Sequence, residues 1–571
     1  MGTLNKMIRS ERGTSFFFVA VSLALSFFLI NGPLQIAGVI QHGWFSLIVP
    51  VSEAAFVVLL LVFSRVSHRR RPAVSRVLLY GAAVTHGMLM LFSASEGVVQ
   101  YIWGRPFSLV ADAPMLQSVY QLIFGEIGDL AARLVPVGIA IIIALGILLS
   151  LLVVTAVRAT LGNAVSPPNL RFTVSALVLV GILSAGIGNN VSPLIYTGLR
   201  GSDGLELREF EGVGSPAVSG AEDKTEGEVA VLPEAAPVSI LDRDIHLFLI
   251  ETYGYAIFSR NTLLTLVQDE LRLLDQALRD AGYFVASTAM DSTVFGGFSW
   301  LAETTLLTGQ KISSQAQFLE LVERAQEEPI PSIGRALHDH GFYTLAVKPG
   351  TIHGSWPEGW DVFRFEQSLV AHDGDFTYRG PWFSYVAITD QFAIWTAHQH
   401  MERVRQAGGV AEGRQAFIHY QLVSSHTPFN RIPWYLPNWE DLGDGSIYGE
   451  QAHRIRRFNN SWGGGTEMDE GHAASISYVL ETIAGYIRKH LDNENNPVLI
   501  ITGDHQAQRP IRENDAGPGV PLHIATRDEE IYERFLAQGL QPGLFSVPEP
   551  PHVSLAELFP MLLRMIPERE L

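Results

Sequence analysis

The sequence contains no cysteine, which excludes disulfide bonds and thiolate metal ligands. It is also short of positive charge, because 40 lysine and arginine residues stand against 58 aspartate and glutamate residues and the formal net charge is −18. A chain this acidic is a poor partner for nucleic acid. With 571 residues it can bury a large core without covalent links, so an oxidising compartment stays open as its location.

Hydrophobic residues make up 47% of the sequence and are concentrated in its first 195 positions. A bilayer is crossed by about 20 helical residues, and five apolar stretches reach that length: 15–37, 44–63, 74–94, 130–157 and 172–189. The first follows a basic start and could be a cleavable signal peptide. No small-x-small cleavage site is evident, however, and further apolar stretches follow. We therefore predict a transmembrane bundle of five helices over residues 1–195.

The basic residues of the short loops predict the orientation of this bundle. Arginines cluster at 65–76 and again at 158–171, whereas the loop at 95–129 is acidic and has one arginine. Because basic loops stay in the cytoplasm, the N-terminus is predicted inside and the chain after residue 190 outside. Residues 196–240, rich in Gly, Ala, Glu, Pro and Ser, are predicted to be a linker and juxtamembrane segment. This arrangement corresponds to a multi-pass protein of the bacterial inner membrane, with residues 241–571 on the periplasmic or extracellular side.

Residues 241–571 have the pattern of an α/β domain. Short apolar runs typical of buried strands lie at 244–251, 416–423 and 497–502. Helical patterns lie at 263–281, with leucines at 263, 266, 271, 274 and 278, and at 473–491. Strands that alternate with helices predict a mostly parallel central sheet.

Polar residues stand where the three strands end. Glu251 ends the first, His426 follows the second, and Asp504 and His505 follow the third. Each alone has an ordinary interpretation as a cap, a turn or a hydrogen-bonded residue. Ligands bind at the carboxyl ends of parallel strands, and oxygen and imidazole donors together suit one divalent cation such as Zn, Mn or Mg.

A nucleophile is predicted in the segment 292–309. Its Gly296-Gly297 pair allows a tight turn, and Ser299 then begins an apolar, helix-like stretch. A serine at a helix N-terminus presents its oxygen where backbone amides favour phosphate. An ordinary N-cap serine is the alternative interpretation.

These motifs, in this order, resemble the alkaline phosphatase superfamily in its sulfatase-like membrane branch. That branch contains lipoteichoic acid synthases, phosphoethanolamine transferases of lipid A and phosphoglycerol transferases of periplasmic glucans. The resemblance is carried by Thr-Gly-Asp-His at 502–505, Leu-Ile-Glu at 249–251, Ser-His-Thr-Pro-Phe at 425–429 and the nucleophile segment at 297–303.

The resemblance implies a role for each of these residues. The metal ligands would be Glu251, Ser299, Asp504 and His505, with Ser299 also the attacking group. His426 would bind the substrate phosphate or protonate the leaving group. Relatives usually have threonine as the nucleophile, and Thr293 and Thr304 are the nearest alternative hydroxyls here.

Further substrate contacts are expected from aromatic and histidine side chains, namely Trp300, His353 and Trp356. The last two belong to a stretch at 353–360 that corresponds to a middle loop of the relatives. That loop carries basic residues in the relatives, but here no arginine occurs before Arg364. Head-group specificity therefore does not transfer.

The implied activity is that of a phosphotransferase or phosphohydrolase of the cell envelope. It would move a phosphoglycerol- or phosphoethanolamine-type head group from a membrane lipid donor to an envelope glycan or lipid acceptor, through a phosphoserine intermediate. Two alternatives stay open. One is an ester hydrolase of envelope glycans, although the Cys/Ser-x-Pro-x-Arg motif of sulfatases is missing. The other is a degenerate, non-catalytic envelope-binding protein.

Overall fold

The computed structural model describes two main parts of the chain. These are residues 52–103 except 69, with residues 140, 144–152, 154–155 and 158, and then residues 239–566 except 352–355, 384, 386–387, 459–465, 492–495, 509–510, 512–516 and 551. The chain divides into two compact units, Met1–Gly201 and Ser202–Leu571.

The first unit contains the helices α1, Ser52–Ser67, and α2, Pro72–Trp103. They pack together through buried apolar residues, which include Val57, Leu61, Val62, Leu79, Ala82 and Ala83. Within α2, Pro72–Glu96 is long and apolar enough to cross a membrane, with a mean hydropathy of 1.6. It is the one such segment among the described residues, and it contains the predicted span 74–94.

The other predicted spans are described in part or not at all. The span 44–63 overlaps α1, and 130–157 is only partly covered. The spans 15–37 and 172–189, like most of the predicted linker, lie outside the described residues. The five-helix bundle therefore stays a prediction.

Apolar side chains also cover an exposed face of α2. Val77, Tyr80, Val84 and Met88 follow one another at helical spacing, and each is at least 57% exposed. An unburied apolar face of this kind is typical of a helix that contacts lipid or another protein.

The second unit is built on a nine-stranded sheet, and β6 and β7 form a separate two-stranded ribbon. The strands are β1 Ile245–Ile250, β2 Phe284–Asp291, β3 Tyr343–Lys348, β4 Gln367–Val370, β5 Ala416–Leu422, β6 Arg431–Ile432, β7 Arg456–Arg457, β8 Val498–Gly503, β9 Gly519–Thr526, β10 Gln541–Pro542 and β11 Val553–Ser554. The main sheet has the order β10-β2-β9-β8-β1-β5-β3-β4, with β11 paired to β2.

The sheet is mixed, but five of its eight pairings among the described strands are parallel, in agreement with the predicted mostly parallel sheet. One half of the sheet consists of β8, β1, β5, β3 and β4, and neighbouring strands within this half are parallel. Strand β9 runs antiparallel to both β8 and β2, and β10 runs antiparallel to β2. All residues of β9 are buried, so its apolar pattern carries no sign of its direction.

Helices surround this sheet, and its buried strands form the core. Beyond α1 and α2 they are α3 Ala256–Ser259, α4 Asn261–Asp280, α5 Ser299–Thr308, α6 Gln315–Glu327, α7 Ile333–Asp339, α8 Glu358–Asp361, α9 Asp390–Arg405, α10 Ile447–Glu450, α11 Thr466–Lys489, α12 Glu529–Ala537 and α13 Leu558–Leu563. Helix α4 packs against α11.

The predicted strands 244–251, 416–423 and 497–502 are observed as β1, β5 and β8, with ends that differ by one residue at most. The predicted helix 263–281 is α4, but its apolar stripe differs in one position. Leu266 is 44% exposed, and Val267 lies in the core instead. Helix α11 begins at Thr466 rather than at the predicted residue 473.

Candidate active site

The carboxyl ends of β1 and β8 bring Glu251, Asp504 and His505 together. The two strands are parallel neighbours, and Ile250 pairs with Gly503, so the residues that follow them meet at one sheet edge. All three side chains are buried, and one ligand atom from each lies within 4.8 Å of the others. His505 Nε2 is 3.3 Å from Glu251 Oε1 and 3.5 Å from Asp504 Oδ2.

Gly503 allows this close approach. A Cβ atom at that position would lie 1.9 Å from the carbonyl oxygen of Tyr253, a backbone atom that cannot move aside as a side chain can. Any other residue would therefore separate the loops that carry Glu251 and Asp504. The glycine of the Thr-Gly-Asp-His motif thus has a steric role.

Hydrogen bonds fix which ligand atoms face inwards. Asp504 Oδ1 accepts the amide protons of Thr252 at 2.9 Å and His505 at 2.6 Å, which leaves Oδ2 towards the cluster. His505 Nδ1 lies 2.8 Å from the Gln506 carbonyl oxygen. The network thus assigns a proton to Nδ1 and leaves Nε2, which faces the two carboxylates, as the nitrogen that could bind a cation. Two carboxylate oxygens and one imidazole nitrogen fit a divalent cation.

The charges of the cluster favour a bound cation. Burial raises the pKa of Asp504, and the neighbouring Glu251 charge raises it further. Burial alone would lower the pKa of His505, but the charges of Asp504 and Glu251 raise it overall. Two carboxylates in one buried site repel each other unless a positive charge lies between them.

Ser299 is placed against this cluster by a sharp turn. Gly296, Gly297 and Phe298 have φ angles of 57°, 151° and 66°, and α5 begins directly afterwards. The left-handed conformation of a non-glycine residue such as Phe298 costs roughly 1 kcal/mol or more. The Ser299 Oγ–H donates to Glu251 Oε2 at 2.8 Å, and the oxygen lies 3.3 Å from His505 Nε2. Ser299 is only partly buried, in contrast to the three residues of the cluster.

The two threonines considered as alternatives are engaged elsewhere. Thr304 donates its hydroxyl proton to the Trp300 carbonyl oxygen at 2.6 Å, one turn back in α5. The Thr293 and Thr305 hydroxyl oxygens are 3.2 Å apart. Of the three candidate hydroxyls, that of Ser299 contacts Glu251 and His505.

His426 lies beside the cluster, on the loop after β5. Its Nδ1 is 2.7 Å from the Thr427 carbonyl oxygen. Its ring stacks on Tyr385, with centroids 3.9 Å apart and planes inclined by 17°. Burial lowers the pKa of His426, and the charge of Glu251 opposes that shift. The His426 imidazole is thus close enough to the Glu251 carboxylate to interact with its charge.

This loop is attached to its surroundings by residues that the sequence did not reveal. The buried Asp390 carboxylate accepts amide protons from Val423 at 2.8 Å and Ser424 at 3.1 Å. Ser425 donates its hydroxyl proton to the Glu251 carbonyl oxygen at 2.6 Å. Asp390 and Tyr385 precede His426 by more than 30 residues, and no motif marks either of them.

The described partners of the remaining predicted contact residues lie outside the Glu251-Asp504-His505 cluster. Trp300 donates its indole proton to Gln315 Oε1 at 2.9 Å and packs on Phe298. Trp356 packs on Phe363 and Phe365. His353 lies outside the described residues. Their role in substrate binding stays a prediction.

No family model and no curated protein matches this chain, but solved structures do. The integral membrane protein lipooligosaccharide phosphoethanolamine transferase A of Neisseria meningitidis is 12% identical, covers 90% of this chain and 94% of its own, and has a TM-score of 0.43. A phosphoglycerol transferase of Streptococcus pyogenes is 11% identical over 57% of this chain and 85% of its own, with a TM-score of 0.34.

A lipoteichoic acid synthase of Listeria monocytogenes is 14% identical, covers 57% of this chain and 73% of its own, and has a TM-score of 0.32. Proteins of the superfamily branch that the motifs resemble are thus among the structures similar to this chain. Because these sequence identities are low, we infer the function from the geometry of the site.

Proposed function

We propose that this protein is a metal-dependent phosphotransferase or phosphohydrolase of the cell envelope that uses Ser299 as a covalent nucleophile. One observation carries the proposal. Ser299 is partly buried and is the first residue of α5. Its hydroxyl oxygen lies 2.8 Å from the carboxylate of Glu251, which belongs to a buried Glu-Asp-His cluster that suits a cation. A structural N-cap serine would instead bond to the backbone of its own helix.

The proposed ligands of the cation are Glu251, Asp504, His505 and the Ser299 oxygen. A divalent cation bound there would lower the pKa of the serine hydroxyl and offset negative charge on phosphoryl oxygens. The positive end of the α5 helix dipole, at Ser299, would also favour the phosphoryl group.

In the first step, Ser299 Oγ forms a bond to phosphorus while the bond from phosphorus to the leaving oxygen breaks. The electron pair of that bond goes to the leaving oxygen. The net proton transfer runs from the Ser299 hydroxyl to this oxygen, with His426 as the proposed carrier. In the second step the oxygen of an acceptor hydroxyl or water forms a bond to phosphorus while the bond from phosphorus to Ser299 Oγ breaks, and the proton of the acceptor passes to the Ser299 oxygen.

The proposed donor is a membrane lipid with a phosphoglycerol- or phosphoethanolamine-type head group, and the proposed acceptor is an envelope glycan or lipid. The apolar α2 favours a membrane-anchored enzyme, because anchoring confines enzyme and lipid to one surface and raises their effective concentration. We propose the division into residues 1–195 in the inner membrane, 196–240 as a linker and 241–571 as the catalytic domain outside the cytoplasm.

The test is to trap the covalent intermediate on the full-length protein in detergent. After incubation with a generic phosphodiester and Mn²⁺ or Zn²⁺, acid quenching and peptide mass spectrometry should find the adduct on the peptide that spans Ser299. Ser299→Ala should abolish turnover and adduct, whereas Ser299→Thr should retain measurable activity because it keeps the hydroxyl.

Ser314→Ala is the matched control. Ser314 caps α6 with a full capping box, so its loss removes about 1 kcal/mol of helix capping without touching the cluster. It should retain wild-type turnover. An adduct on Thr293 or Thr304 would move the nucleophile, and normal turnover by Ser299→Ala without any adduct would refute covalent catalysis.

A further inference from the structure

A second buried charged cluster lies one helical turn beyond Ser299. It consists of Glu303 on α5, Lys348 at the end of β3 and His419 in β5, each at most 2% exposed. Lys348 Nζ donates to both Glu303 oxygens, at 2.7 and 2.6 Å. His419 Nε2 is 2.6 Å from Glu303 Oε1. Burial lowers the pKa of His419, so this ring is neutral and donates its Nε2 proton to the carboxylate.

Fold stability alone is a weak explanation for such a cluster. Apolar side chains of similar volume often stabilise a protein as well as a buried ion pair does, because the charges lose their hydration. An ion pair differs from apolar packing in that its directional hydrogen bonds fix the positions of the two paired side chains, and of the elements that carry them, relative to each other. Glu303 has both of its oxygens engaged, so the place of its helix relative to β3 and β5 is narrowly defined.

The cluster shares a helix face with Ser299. Residues four apart lie on one face of a helix, about one turn from each other. Ser299 therefore contacts the end of β1 through Glu251, while Glu303 contacts β3 and β5 through Lys348 and His419. The strands β1, β5 and β3 are neighbours in the sheet. Helix α5 thus has polar contacts to three adjacent strands, at Ser299 and at Glu303, in addition to its packing against α6, α7 and α13.

We propose that Glu303, Lys348 and His419 form a positioning network that holds Ser299 Oγ against the Glu251-Asp504-His505 cluster. The inference rests on the proposed function, and none of the three residues is a catalytic residue. Without the network, α5 would keep its packing and its polar contact at Ser299 but lose the polar contacts at Glu303. A displacement of about 1 Å at a reacting atom reduces rates by roughly 100-fold.

The experiment compares Glu303→Gln with the wild type in single-turnover formation of the Ser299 adduct. At saturating phosphodiester, the rate constant of adduct formation should fall about 10- to 100-fold, while the half-saturating phosphodiester concentration and the bound metal stay within about twofold. Rates are divided by the amount of adduct formed at completion, so that only folded enzyme is counted. A loss of stability alone would reduce the amount of adduct and leave its rate unchanged.

The matched control is Asp244→Asn. Asp244 is also a buried carboxylate with two contacts of 2.7 Å to one cation, Arg405, but it precedes β1 whereas Glu251 follows it. About 20 Å of strand separates the two ends. Asp244→Asn should lower the melting temperature without changing the rate of adduct formation.

A double variant, Glu303→Gln/Lys348→Met, keeps the inference testable if the single variant folds poorly. Removing both charges avoids an unpaired buried ammonium, so stability should recover, while the rate should stay at least 10-fold below the wild type because the directional contact is absent. A wild-type rate per folded molecule in Glu303→Gln or in the double variant would overturn the inference. A wild type that forms no Ser299 adduct would instead refute the proposed function, and the inference with it.

Discussion

Asp504→Asn tests the metal site with the smallest change in shape. The asparagine oxygen can keep the two amide hydrogen bonds that Asp504 Oδ1 accepts from Thr252 and His505. Its NH₂ group then replaces Oδ2, which lies 3.5 Å from His505 Nε2. The substitution therefore removes one ligand atom and one negative charge and turns an acceptor into a donor, while the loop keeps its backbone contacts.

The expected magnitude follows from the loss of a direct ligand. Changes in residues that only support ligands weaken metal binding by 10- to 100-fold, so a direct ligand should reach at least about 100-fold. At a metal concentration of about 1,000 times the wild-type Kd, bound metal stabilises the fold by about 4 kcal/mol, and a 100-fold weaker site reduces this to about 1.4 kcal/mol. At roughly 2 °C per kcal/mol for a unit of this size, the metal-dependent rise in Tm should shrink from about 8 °C to about 3 °C.

The assay is thermal unfolding of the full-length protein in detergent, followed by tryptophan fluorescence with EDTA or with added Zn²⁺ or Mn²⁺, together with calorimetric titration of the metal. Asp390→Asn is the control, because Asp390 is another buried carboxylate that accepts two backbone amide protons but does not belong to the cluster. It should bind metal with wild-type affinity. Equal metal affinity in Asp504→Asn and the wild type would refute the assignment of Asp504 as a ligand.

Two further predictions concern pH and topology. Burial lowers the pKa of His523 from its ordinary 6.5 to about 3, so its neutral form stabilises the fold above pH 6.5 and this contribution is lost as the pH falls towards 3. The free energy of unfolding of the wild type should therefore fall between pH 7 and pH 5, and His523→Gln should make this fall smaller by about 2 kcal/mol. Urea denaturation at both pH values measures the free energy of unfolding. An equal fall in the variant and the wild type would contradict the prediction. Phosphatase fusions placed after residue 71 should be inactive and those after residue 201 active, because the arginine clusters predict an inside N-terminus and an outside C-terminus; the reverse pattern would overturn the topology.

Strand ends were predictable because each strand is a dense apolar run with an abrupt polar end. Buried parallel strands have no polar face, so the runs before Glu251, His426 and Asp504 are distinct in the sequence. Once the strands are parallel neighbours, elementary geometry places their carboxyl ends at one edge. The sequence could not reveal which strands are neighbours, and the position of β1 between β5 and β8 is what brings Glu251 and Asp504 together.

The supporting residues could not be predicted for the same reason. Glu303 and Lys348 are 45 positions apart in sequence, and Glu303 and His419 are 116 apart. A single glutamate in a short helix looks like a surface residue, but eight of the ten residues of α5 are buried, Glu303 among them. The left-handed Phe298 was equally hidden, because the turn that requires it is set by the approach of α5 to the cluster.

Several energetically unfavourable features of the second unit occur at or next to the candidate active site. Phe298 and Thr252 both have positive φ angles, of 66° and 57°, and each such residue costs roughly 1 kcal/mol or more. Glu251 and Asp504 add the mutual repulsion of two buried carboxylates. Strain of this kind persists only where the surrounding structure imposes it, and it is concentrated at functional sites.

The same features bear on the alternative of a degenerate, non-catalytic domain. Such a domain would gain stability by replacing either carboxylate with a neutral side chain or by relaxing the turn before Ser299. This chain instead has both carboxylates, a serine hydroxyl 2.8 Å from one of them and the buried Glu303-Lys348-His419 cluster. Each is unfavourable or unnecessary for folding alone, and the covalent catalysis proposed above would use all of them to position one oxygen.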